Sequence, residues 1–98
     1  MNNLNKFMQV LLDLNIQEEQ LEDILEKNPA IIDGNYDEFV INIDLLHKAK
    51  VPYNNIGELI VQNANFLFYD SNDLIKTIKS LLTKGNLVDL IAENPDIF

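Results

Sequence analysis

Apolar residues recur along this chain at steps of three and four, the spacing that gathers them on one face of an α-helix. Leu4, Phe7, Met8, Leu11 and Leu12 form the first stripe and predict a helix over 3–14. A second helix is predicted over 17–27, with Leu21, Ile24 and Leu25 facing inward. Asn35-Tyr36-Asp37-Glu38 reads as an Asn cap with a Glu three residues on, a helix start. The third helix then carries Phe39, Val40, Ile43 and Leu46, and Ile41, Asn42 and Leu45 widen its apolar face, so we expect it to be the most buried. Pro52 suits the first turn of a fourth helix over 53–62, with Ile56, Leu59 and Ile60 inside. Asp70 or Ser71 caps a fifth helix over 72–84, which carries Leu74, Ile75, Ile78, Leu81 and Leu82 inward, and a short sixth covers 87–93.

One stretch repeats. Ile24-Leu25-Glu26-Lys27-Asn28-Pro29-Ala30-Ile31-Ile32 returns as Leu90-Ile91-Ala92-Glu93-Asn94-Pro95-Asp96-Ile97-Phe98. A degraded copy, Leu59-Ile60-Val61-Gln62-Asn63-Ala64-Asn65-Phe66-Leu67, lies between them. Ile56, Leu59 and Ile60 stand thirty-five positions after Leu21, Ile24 and Leu25, and Val51 corresponds to Ile16 as a buried anchor. Pro29 stops its helix because the residue before a proline is driven out of the α region, and Ile31 and Ile32 are expected to fold back as a short turn. Asn15 and Gly85 suit helix ends. Asp33-Gly34-Asn35 and Tyr69-Asp70-Ser71-Asn72 are turns between units, and the third copy is about five linker residues shorter.

The predicted fold is therefore all-α and a single domain over 1–98: a short α-solenoid of three helix–helix–3₁₀ repeats, about six helices, with units near 3–34, 35–70 and 71–98. A lone helix pair leaves one apolar side open, and stacked neighbours close it. A plain six-helix bundle with coincidental repetition is the alternative. The chain begins and ends on unit boundaries, which leads us to expect a whole protein.

The pattern resembles the repeats of the mitochondrial transcription termination factor (mTERF) family. The matching residues are Leu14-Asn15-Ile16, then Leu21, Ile24, Leu25, Asn28, Pro29, Ile31 and Ile32, and in the last unit Leu90, Ile91, Asn94, Pro95 and Ile97. The resemblance implies two antiparallel helices and a 3₁₀ turn per unit, stacked into a curved superhelix. It also implies nucleic-acid binding along a basic concave face rich in Arg and Lys. This sequence departs from that face. The residues that match are structural, so no binding residue carries over.

Charge sharpens the departure. The net charge is −9, and the segment from Asp13 to Asp44 holds ten acids against Lys27 alone. The rest of the chain has six acids and six lysines, and there is no arginine, the residue best suited to bidentate phosphate and guanine contacts. Such asymmetry bears on partners rather than fold. It favours a protein with a basic surface meeting Glu18, Glu19, Glu22, Asp23 and Glu26. The bland reading of the same strip is a solvated helix face, and a sharper one is imitation of nucleic-acid charge. The alternative is nucleic-acid contact through Lys48, Lys50, Lys76, Lys79 and Lys84, which would weaken steeply with salt. Tyr36, Tyr53, Phe66, Phe68 and Tyr69 could stack on bases, although each also falls where a repeat is capped or closed.

Catalytic chemistry finds little support. Cysteine is missing, so disulfides and thiolate metal sites are excluded. His47 is the single histidine and has no Ser/Asp companion motif. Gly34, Gly57 and Gly85 are isolated and form no phosphate loop. Asp33-Gly34-Asn35-Tyr36-Asp37 lacks the alternating acids and closing Glu of a calcium loop. We expect no enzyme, cofactor or metal. No apolar run reaches the roughly 20 residues of a membrane helix, and the start of the chain lacks the features of a targeting segment, so a cytoplasmic location is the expectation.

Overall fold

A computed structural model describes residues 4–98, with side chains from Asn5 onward. The expected start of the first helix at Asn3, and the burial of Leu4, lie outside that description. Three units follow in order. The first holds α1 (Leu4–Asp13), α2 (Glu18–Lys27) and α3 (Ala30–Asp33). The second holds α4 (Tyr36–Lys48), α5 (Tyr53–Gln62) and a 3₁₀ turn η1 (Asn65–Phe68). The third holds α6 (Ser71–Leu82), α7 (Leu87–Glu93) and a 3₁₀ turn η2 (Pro95–Ile97).

The units share a register. Phe39 and Leu74 are fully or nearly buried thirty-five residues apart, as are Leu11, Leu46 and Leu81. Each first helix also ends at the same step, with positive φ at Asn15 (67°), Lys50 (71°) and Gly85 (155°). After the first two of these, the next backbone N–H reaches back five residues, Ile16 to the Leu11 carbonyl (3.2 Å) and Val51 to that of Leu46 (3.1 Å). These are Schellman closures, and their apolar residue is driven onto the helix it has just left. Ile16 and Val51 are accordingly buried. Asn28 is pushed to φ −130°, ψ 64° ahead of Pro29, and α2 stops there.

First helices pack on first helices, α1 on α4 and α4 on α6, while α2 packs on α5. The units are joined through aromatic rings. Phe39 meets Phe7 of the preceding unit at 4.9 Å, and Phe66 faces Phe98 of the following one at 6.1 Å. Burying side chains of this size stabilises by roughly 1.5–3 kcal/mol each, and neither ring of a pair is shielded without its neighbouring unit. The radius of gyration is 12.8 Å, close to the ~13 Å of an ordinary 100-residue domain.

Asn42 occupies the register position of Phe7 and is the one fully buried polar side chain among the described residues. Its Nδ2 donates to the carbonyls of Phe66 (2.9 Å), Leu67 (3.1 Å) and Tyr69 (2.9 Å), so α4 holds the closing turn of its own unit. Asn63 then ties the second unit to the third, donating from Nδ2 to the Pro95 carbonyl at 3.0 Å.

Four residues expected inside are not. Leu12, Ile32, Ile41 and Leu82 are between 36% and 49% exposed. Ile41 shares its register with the exposed Lys6 and Lys76, and Leu12 and Leu82 share theirs with the exposed His47, so these positions lie on the solvent side of the first helices. Ile32 stands in an end unit, whereas its counterpart Leu67, with a unit on either side, is fully buried. The closing turn of the first unit is an α turn rather than the expected 3₁₀ turn. Pro29, at φ −61° and ψ −21°, already sets helical geometry there, while i→i−3 bonds flank it.

Candidate functional site

The helices sort charge into two layers. The second helices α2, α5 and α7 carry eight acidic side chains (Glu18, Glu19, Glu22, Asp23, Glu26, Glu58, Asp89 and Glu93) and only Lys27 to oppose them. The first helices α1, α4 and α6 carry five acids and four lysines. The two layers therefore bear −7 and −1 of the net −9.

The five acids of α2 are all exposed, but they do not form one cluster. Glu18 and Glu19 border a shallow depression with Leu12 and Asn15. Asp23 is paired with Lys27 at 3.0 Å. Glu22 and Glu26 stand one turn apart on the outer edge of the stack. The register explains that edge. Glu22 corresponds to Gly57 and Val88, and Glu26 to Val61 and Ala92. In the second and third units these positions face the unit before and are small or apolar. Gly57 is the extreme case, since a Cβ there would lie 2.6 Å from the Leu14 carbonyl oxygen. In the first unit the same positions face solvent and bear carboxylates, as the end of a stack requires.

Two grooves cross the second-helix layer. One, of about 500 Å³, runs between α2 and α5 and is lined by Asn15, Gln17, Gln20, Asn54, Glu58 and Gln62 among others. Within it Asn15 donates from Nδ2 to Asn54 Oδ1 at 2.7 Å, and Gln20 Oε1 accepts from the Gln17 backbone N–H at 2.9 Å. The other, of about 230 Å³, runs between α5 and α7 over Asn55, Glu58, Gln62, Val88 and Ala92. Glu58 and Gln62 border both grooves, so they form the crest of α5. Apart from Asn15, which stands out in the sequence as a helix end, neither these amides nor Glu58 carries a motif along the chain. The repeat itself carried the signal, because Glu58 falls in register with Asp23 and Asp89.

The lysines are spread over two helices and two turns. Lys48 ends α4 and is tied to Asp44 at 3.2 Å. Lys50 lies in the turn before α5, Lys76 and Lys79 lie on the exposed side of α6, and Lys84 lies in the turn after it. The aromatic residues form no stacking platform. Phe66 is wholly buried, Tyr36 and Tyr69 are half-buried, and Phe39 meets Phe68 edge-on at 5.5 Å. Tyr53 lies flat against His47 at 3.8 Å, both of them exposed, which accounts for His47 as half of a surface stack. Among the described residues no three acidic or histidine side chains gather where they could hold a metal ion. No helix among them is long and apolar enough to cross a membrane.

No curated protein and no solved structure matches the chain. The model of the mTERF family does, over residues 1–97, from the first helix through the last closing turn. With three stacked helix–helix–turn units behind that match, the chain belongs to the mTERF family.

Proposed function

We propose that this chain is a non-enzymatic helical-repeat module that binds a protein with a basic surface, through its layer of second helices. Glu18, Glu19, Glu22, Asp23 and Glu26 provide most of the charge. The observation that carries this reading is the segregation of charge, −7 on one layer against −1 on the other. A one-signed surface speeds encounter with the opposite sign and repels its own kind, nucleic acid included.

The test compares the unaltered chain with a Glu18→Lys/Glu22→Lys/Glu26→Lys variant in affinity capture from the source cell. Loss of the basic partners is the expected result. Retention of every partner would overturn the reading.

Family membership favours a second reading, nucleic-acid binding through Lys48, Lys50, Lys76, Lys79 and Lys84. Phosphate contacts are strongest in low salt. A gel shift near about 50 mM salt separates the two readings: the protein-binding reading expects no shifted band.

A further inference from the structure

The layer of first helices carries a groove of its own. Between α1 and α4 lies a mainly apolar depression of about 340 Å³, floored by Val10, Val40 and Ile43 and edged by Asp13, Ile41 and Asp44. Ile41 is 47% exposed, and Tyr53, which also lines the groove, is 45% exposed. Thirty-five residues on, the same register positions flank the joint where α4 packs on α6. There the floor positions stay apolar, as Leu45, Ile75 and Ile78, but the edge becomes Lys48, Lys76 and Lys79, all exposed. One face thus holds two neighbouring joints built on one register and edged with opposite charge.

Only a partner that bears both signs in the matching order fits such a face. A basic protein is repelled by the lysines of one joint, and nucleic acid by the carboxylates of the other. A second copy of this chain has the required order. Turned over about a two-fold axis along α4, it lays its lysine edge on the acidic groove of the first copy and receives the lysines of the first on its own groove. The contact is made twice by symmetry, and the axis brings the exposed Ile41 of the two α4 helices together. Asp44 already holds Lys48 at 3.2 Å, so the charges that cross the joint are Asp13 on one side and Lys76 and Lys79 on the other. Gln9 Nε2 donates to Asp13 at 3.0 Å and engages Oδ1 alone. The whole layer bears only −1, so two copies can bring this face together, whereas the −7 layer repels its like. We infer that the chain pairs with a second copy of itself through its first-helix layer, the acidic groove of each copy on the lysine edge of the other. The acidic second-helix layer stays outward on both copies, and the inference does not rest on the reading of that layer.

Sedimentation equilibrium of the full chain tests this near physiological salt, where repulsion beyond about 8 Å is screened and touching charges still act. The mass is expected to rise with concentration from 11.3 kDa towards twice that value, approaching it by about 1 mM. Lys76→Glu/Lys79→Glu sets acid against acid and should weaken pairing about tenfold. Asp13→Lys sets base against base and should weaken it about fivefold. The direction of that second effect is diagnostic. Asp13→Lys cuts the net charge of the chain from −9 to −7, so relief of general repulsion alone would strengthen association. The two variants mixed should pair more tightly than either by itself, because each then supplies the charge the other needs. All three positions are exposed, and circular dichroism confirms that the variants fold. A chain that keeps a mass of 11.3 kDa at every concentration overturns the inference. So does an Asp13→Lys variant that pairs as well as the unaltered chain or better, or a mixture that pairs no better than its components.

Discussion

Viewed from α2, α5 and α7, the molecule presents eight carboxylates and one ammonium group; viewed from α1, α4 and α6, it presents five and four. Both layers are built on the same inward positions and share one core. The repeat therefore fixes the inside of every helix and leaves the outside free, and the two outsides have diverged. On the first helices acids and bases are interspersed in nearly equal number, with Asp44 and Lys48 paired. On α2 only Asp23 has a base beside it, Lys27, and like charges recur at Glu18, Glu22 and Glu26.

That contrast can be broken most forcefully at the core the layers share. Phe66→Ala should cost about 3–5 kcal/mol, because the ring is fully buried and faces Phe98 of the next unit. Chemical denaturation followed by circular dichroism should still show a single transition; two transitions would mean that the units fold apart. Asn42→Ala removes the donor to three carbonyls and should cost about 1–3 kcal/mol, read from the denaturation midpoint. No change would show that the closing turn needs no holding. Gly57→Ala brings a Cβ against the Leu14 carbonyl. We expect a net loss of about 1 kcal/mol, the clash outweighing the similar amount of helix propensity gained; a rise in Tm would contradict that close approach. The smallest effects sharpen the contrast itself. Glu22→Gln/Glu26→Gln should stabilise by a few tenths of a kcal/mol through relief of one-turn repulsion. Asp44→Asn should lose a similar amount with its ion pair. Both shifts should fade in high salt, and shifts of the same sign would erase the distinction between the layers.

Much of the fold was legible because the copies check one another. The inward stripes, the Asn-Pro stop and the anchors Ile16 and Val51 all recur in register. The misplaced residues were read from single helices. A three–four spacing alone draws Ile41 inward, whereas its partners Lys6 and Lys76 in the other copies place it outside. The role of Asn42 was not legible, since its acceptors lie 24–27 residues away and the middle unit alone uses them. The acids of α2 were visible as charge, but Glu22 and Glu26 could be told from Asp23 only once Gly57 showed which side meets a neighbour. The crest of Glu58 and the groove amides needed the packing of α2, α5 and α7, because isolated Asn and Gln carry no signal along the chain.

Gly57 and Glu22 occupy one place in two units, a glycine where a neighbour presses and a glutamate where none does. The stack consequently has a direction. Were two molecules to meet head to tail, Glu22, Asp23 and Glu26 of one would confront Asp89 and Glu93 of the other, with carboxylates standing where the inner joints hold Gly57, Val61, Val88 and Ala92. Like charge therefore opposes growth into a filament at that joint.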